Sequence, residues 1–356
     1  MSNLRAELKA ELDAAGLLEE RPGLTYLKAA VLLAATISLF LLCYHAPSWW
    51  MKLPLFAAGI FTNVALIMMG HESGHGSVSQ NRWLNDALGY FAFPLMSGLS
   101  LTYWKYKHNT LHHSYPNVAH KDPDIAVYPF AFYKEQKTEK AGPARFVQKY
   151  QGLLFWPLTL LTGFAMRFDS LVFLGGRGRK LVKADARLAD IACLVTHYAL
   201  WLVVPTLVFG LPVVPVAVAF VVWNALAGIL LGAIFVPAHM TMPLYREYDE
   251  NFILQLRTTQ NLKTNRLFSF LLIGLDHQVE HHLFQRMPHH GVRKASPIVR
   301  AFCERHGLPY NEQPWGRALW ETTRRLDTLP EYELIERPPA ADRLAGLRLD
   351  EEAAPA

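Results

Sequence analysis

The chain has 356 residues, 51% hydrophobic and 18% charged, with a formal net charge of +5 and 15 histidines. Its mean hydropathy of +0.11 averages uncharged apolar blocks with polar stretches that hold nearly all the charge. That pattern excludes a disordered chain, a collagen-like repeat and a wholly soluble globule. Three cysteines, Cys43, Cys193 and Cys303, cannot build a disulfide framework, which excludes a secreted, stapled fold.

Residues 1–23 carry Glu7, Glu11, Asp13, Glu19 and Glu20 and read as an amphipathic cytoplasmic helix lying on the membrane. A hydrocarbon core about 30 Å thick needs roughly 20 helical residues, and four apolar blocks qualify: 24–44, 53–70, 191–209 and 213–236. No small-residue cleavage site follows the first, so it is expected to be an uncleaved anchor. Trp49 and Trp50 fall in the short loop before the second block, suited to the headgroup level. Gly210, Leu211 and Pro212 alone join the third to the fourth. Two shorter stretches, 87–103 and 153–166, contain Pro and Gly and read as interfacial or buried pieces. The expected fold class is all-α: a polytopic membrane protein of four transmembrane helices in two hairpins, with a cytoplasmic helical cap holding a di-metal site. The catalytic domain is expected over 24–310. Residues 311–356 follow as a cytoplasmic helix bearing Trp315 and Trp320, then disorder from about Pro338.

Of the 35 Lys and Arg, Lys52 alone falls in the first hairpin's loop and none falls in the second's. The positive-inside rule then places both termini and both large polar segments in the cytoplasm, in a bacterial inner membrane or the endoplasmic reticulum. The basic face suits the headgroups of membrane lipids and gives no reason to invoke nucleic acid.

Histidine is the informative residue, since 9 of the 15 lie in four clusters on that cytoplasmic side. These are His71 and His75 after the second block; His108, His112 and His113 after the first interfacial stretch; His239 after the fourth block; and His277, His281 and His282. On an α-helix, residues four apart share a face, a condition met by His71/His75, His108/His112 and His277/His281. Adjacent histidines diverge by about 100°, so His112/His113 and His281/His282 can each address two centres. Eight or nine imidazoles exceed what one metal takes, so the count asks for two. Neutral nitrogens without carboxylates or thiolates suit Fe, Zn or Cu and argue against Ca²⁺ and Mg²⁺. A rival reading takes His71-Glu72-x-x-His75 as an intramembrane zinc metalloprotease with Glu72 as general base. It leaves the other clusters unexplained.

The motifs together resemble the integral-membrane fatty-acid desaturase superfamily of histidine-box di-iron enzymes. His-Glu-Ser-Gly-His-Gly-Ser is similar to the first box, and Lys-His-Asn-Thr-Leu-His-His-Ser-Tyr-Pro-Asn with Lys-Asp-Pro-Asp-Ile to the second. Gln-Val-Glu-His-His-Leu-Phe is similar to the third box of the subgroup that includes front-end desaturases. The resemblance implies that His71, His75, His108, His112, His113, His239, His281 and His282 ligate two Fe ions, with Gln278 or His277 in a ninth position. Asp122, Asp124, Asp276 and Glu280 are candidates for fixing imidazole tautomers from outside the ligand set. It further implies O₂ as co-substrate, a fatty acyl chain as substrate, and desaturation ahead of decarboxylation to a terminal alkene or hydroxylation. With no haem signature of the His-Pro-Gly-Gly kind in the chain and no fused flavin, electrons are expected from a separate ferredoxin, or cytochrome b5 with its reductase.

Overall fold

The structure is a computed structural model that describes residues 2–138, 140–248 and 251–336. The disorder expected from Pro338 lies outside the described residues.

Helix α1 (Ser2–Ala14) leads into α2 (Pro22–His45), which opens with Pro22 in a first-turn position where a missing N–H is tolerated. After a short turn, α3 (Trp49–Gly74) packs back along α2, and Thr36 bonds Thr62 across the pair at 3.0 Å. Trp49 and Trp50 open α3 instead of lying in a loop, and α3 runs past the apolar block to carry His71 within the helix. The stretch expected as one interfacial piece is two arms in contact. The entering arm is α4 (Arg82–Tyr90) with a π-helical continuation, Phe91–Ser97, that contains Pro94. Gly98, at φ 70, makes the turn. The leaving arm is α5 (Leu101–Trp104) and a second π-helical run, Lys105–His112.

Further on, α6 (Gln151–Thr159) and α7 (Thr162–Gly175) form an apolar pair bent by 68°. The third spanning helix, α8 (Ala184–Tyr198), continues through a π-turn to Leu207, and α9 (Val213–His239) is the fourth. The four spans are 24 to 27 residues long, about 36–40 Å at 1.5 Å per residue, enough to cross a bilayer. With the bent pair counted as one, the chain has up to five spans. The protein is thus an all-helical integral membrane protein. Its one regular strand pair among the described residues is β1 (Asn261–Lys263) beside β2 (Glu312–Pro314), in parallel register.

Both α3 and α9 deliver their C-terminal turns to one end, where the remaining elements form a cap: α10 (Asn251–Thr258), α11 (Gln278–Leu283), α12 (His289–His306) and α13 (Trp315–Leu326). Helix α1, expected on the membrane surface, instead buries Leu8 and Leu12 completely in a cluster with Val299 and Phe302 of α12. Protein packing takes its apolar stripe. Helix α13 is tied down where Trp315 Nε1 donates to the Ala233 carbonyl of α9 at 2.8 Å.

Candidate metal centre

Eight histidines from four segments, the end of α3, the second π-helical run, the end of α9 and α11, converge where the spans meet the cap. Ring nitrogens of His71, His75, His108, His113 and His281 lie within 4.8 Å of one another, and those of His112, His239 and His282 form a second such group. The groups adjoin, with the His113 and His282 rings 4.3 Å apart at their centroids. All eight expected histidines are brought together. The adjacent pairs part as expected: His113 and His281 join the first group, His112 and His282 the second.

One expected pairing is different. His108 and His112 are four apart, but their segment is π-helical and the His113 N–H donates to the His108 carbonyl at 2.9 Å. In a π-turn residues five apart align, so His108 shares its group with His113. His277 joins neither group, because α11 begins at Gln278 and His277 precedes its first turn. Its nearest charged neighbours are Asp276 at 3.7 Å and Glu280 at 3.9 Å. Gln278 is buried, and its Nε2 donates to the Leu275 carbonyl at 2.7 Å.

Outer partners fix the ring orientations. His112 Nδ1 lies 3.1 Å from Asp122 Oδ1 and 3.4 Å from Asp124 Oδ2. His239 Nδ1 donates to the Thr258 carbonyl at 3.0 Å and His282 Nδ1 to Gln255 Oε1 at 2.8 Å. In His239 and His282 the Nε2 lone pair is thereby left for the centre, the tautomer a metal-bound imidazole adopts. Of the four candidate carboxylates, Asp122 and Asp124 touch a clustered histidine. Asp276 instead accepts from Thr264 and Ser269, and Glu280 from Asn261 and Tyr310. Glu280 precedes His281 by one residue and so turns away from it toward β1. Gln255, Thr258 and Trp104 are not distinguishable in the sequence. Trp104 covers His108 and His71 at centroid distances of 4.4 and 5.1 Å, packed over Gly74, where a Cβ would lie 2.2 Å from the indole.

Burial, reinforced by mutual repulsion, holds His75, His108, His113 and His282 well below the usual imidazole range, and His281 at about 3. Burial also opposes a charge on His112, but Asp122 and Asp124 outweigh it and raise that ring. Neutral imidazole is the metal-binding form. His113 Nε2 faces His108 Nε2 at 3.0 Å and His281 Nε2 at 3.2 Å, while the buried Nε2 atoms of His71, His75 and His282 have no hydrogen-bond partner. Unpaired buried nitrogens cost about 1–3 kcal/mol each, and bound metal would satisfy them. The residues fit a metal-bound group.

An all-helical membrane body enclosing a buried centre of eight imidazoles defines a membrane protein able to hold metal. The sequence model of the fatty acid desaturase family matches residues 47–314, and the chain belongs to that family. It is 32% identical over 256 residues to the acyl-lipid (9-3)-desaturase of Physcomitrium patens, covering 68% of this chain and 47% of that one. It is 27% identical over 303 residues to fatty acid desaturase 3 of Homo sapiens, covering 83% and 65%. With the Delta(8)-fatty-acid desaturase of Helianthus annuus it shares 28% over 339 residues, covering 90% and 72%. The chain thus spans about half to two thirds of the length of the first two relatives.

Proposed function

We propose that the protein is a membrane-bound non-haem di-iron oxidoreductase that introduces a double bond into a fatty acyl chain, using O₂ and two electrons from a separate donor. The observation that carries it is the division of eight imidazoles into two adjoining groups, in a chain whose family relatives are named as desaturases. In this reading His71, His75, His108, His113 and His281 hold one metal and His112, His239 and His282 the other. Gln278 supplies the ninth position in preference to His277, which lies outside both groups. Bound iron supplies the O₂-dependent oxidising power needed to remove hydrogen from an unactivated C–H bond.

The chain's own side chains prepare the site for that chemistry. Asp122, Gln255 and the Thr258 carbonyl orient His112, His282 and His239. Trp104 and Phe235 flank His71, at 5.1 and 6.1 Å from its ring. Both termini and the histidine cap face the cytoplasm, where a ferredoxin or cytochrome-type donor docks.

The zinc-protease reading needs Glu72 free to act as a base. Its Oε1 instead accepts from the His289 main-chain N–H at 3.2 Å, and His71 and His75 face three further imidazoles. The deciding experiment is purification in detergent, a count of Fe and Zn per chain, and mass spectrometry of a fatty acyl substrate incubated with O₂, NADPH and a ferredoxin system. Two irons and a product lacking two hydrogens support the proposal. Loss of CO₂ or gain of oxygen retains the site and replaces the outcome with decarboxylation or hydroxylation. One zinc with O₂-independent peptide cleavage overturns it.

A further inference from the structure

The arm that carries His108, His112 and His113 begins at a turn, residues 95–102, whose backbone is held from outside by side chains of two other elements. Asp190 of α8 is fully buried. It accepts hydrogen bonds from Ser100 Oγ and the Leu101 N–H, both at 2.8 Å, from the Thr102 N–H at 3.1 Å and from the Thr102 hydroxyl. On the entering arm, His197 Nδ1 of α8 donates to the Leu95 carbonyl at 2.9 Å, and Arg167 of α7 donates to the Ser97 carbonyl. Irregular backbone inside a membrane protein survives only where protein groups satisfy it, and a buried carboxylate is retained only where its oxygens are bonded.

We infer that Asp190 is a positioning residue for the metal centre, fixing through the cap of α5 the height and rotation at which the π-helical arm presents His108 and His113. The inference rests on reading the five-histidine group as metal-binding. The mechanical link is short. Asp190 binds the first two N–H groups of α5; one turn later Trp104 lies over His108 at 4.4 Å; and His108 Nε2 meets His113 Nε2 at 3.0 Å. Among the described residues α8 contributes no side chain to either histidine group, and Asp190 is its link to the arm that carries His108 and His113. An Asp190→Asn side chain keeps the shape and loses one of the two oxygens that receive these donors, leaving an amide NH₂ against a hydrogen-bond donor.

The test is cobalt binding by the full chain in detergent, read by visible absorption and chelator competition, alongside the melting temperature of the metal-free protein. The control is Thr36→Val, which removes the Thr36–Thr62 bond in the first hairpin and matches the general loss of stability. Asp190→Asn is expected to weaken cobalt binding about tenfold or more, the range seen when groups behind a metal ligand are lost, with an altered absorption band. Thr36→Val is expected to bind as the unaltered chain does. Wild-type affinity and spectrum in Asp190→Asn, or an equal weakening in Thr36→Val, overturns the inference. Should Asp190→Asn fail to accumulate, Ser100→Ala and Thr102→Val remove single donors with Asp190 in place, and unchanged cobalt affinity in both overturns it. An unaltered chain that takes up no cobalt refutes the metal-centre reading itself.

Discussion

His113 follows His108 by one π-helical turn, its N–H on the His108 carbonyl at 2.9 Å and its Nε2 3.0 Å from the His108 Nε2. His112, its immediate neighbour, faces His239 and His282 instead, at ring distances of 4.9 and 5.1 Å. Consecutive residues therefore belong to different histidine groups. His113→Ala and His112→Ala are each expected to lower metal content by about one equivalent and to abolish product formation, each through a different group. His277→Ala is expected to retain both equivalents and Gln278→Ala to lose metal. Metal analysis of the four purified variants checks this, and loss of metal in His277→Ala alone would reverse the assignment of the ninth position.

Gln255 bridges the two groups from behind, accepting from His282 Nδ1 and donating from Nε2 to the His113 carbonyl, both at 2.8 Å. Because its two ends face a donor and an acceptor, a hydrocarbon replacement strands both partners in a buried site. Gln255→Leu is expected to weaken metal binding about 10- to 100-fold, whereas Gln255→Glu, which keeps an acceptor for His282, is expected to lose less. Competition with a chelator of known affinity measures both.

Much of this was legible before the structure. The four spans follow from apolar length, the gathering of the histidine segments from their places at the ends of apolar blocks, and the splitting of His112/His113 and His281/His282 from the 100° step. Two features were not legible. The His108–His113 alignment depends on a π-turn, and a histidine spacing of four with an adjacent fifth residue fits an α-turn as well as a π-turn. The place of His277 outside both groups depends on a helix starting one residue after it, a boundary no local propensity fixes. Gln255 and Asp190 were hidden for another reason: their roles arise from contacts 27 and 90 positions away in the chain, and a lone polar residue in a helix announces neither.

Gly74 ends α3 directly beneath Trp104, and a Cβ there would come within 2.2 Å of the indole ring. The glycine is helical and not at positive φ, so the constraint is space and not backbone conformation. Gly74→Ala is expected to destabilise the protein by about 1–3 kcal/mol through overpacking and to displace Trp104 from His108, lowering metal content. Pairing it with Trp104→Phe, which opens room beside residue 74, is expected to recover part of both losses. Melting temperature and iron count for the single and double variants check the coupling, and strictly additive effects would separate the two residues.

The pH response of the metal-free protein has a definite sign. Burial first, and mutual repulsion second, hold His75, His108, His113 and His282 well below the ordinary imidazole value and His281 at about 3. As pH falls through about 6.5 the unfolded chain takes up protons that these folded rings refuse, so each costs up to about 1.4 kcal/mol of stability per pH unit until its folded value is reached. His112 acts oppositely: Asp122 and Asp124, overcoming burial, raise it, so its contribution is present in acid and fades as pH rises through its folded value. Five rings against one set the net direction. Chelator-treated protein is expected to melt at a lower temperature near pH 5.5 than near pH 7.5, and His112→Asn, which removes the opposing ring, is expected to steepen that difference. A melting temperature that rises toward acid would show that these imidazoles take up protons in the folded protein, contrary to what their burial implies.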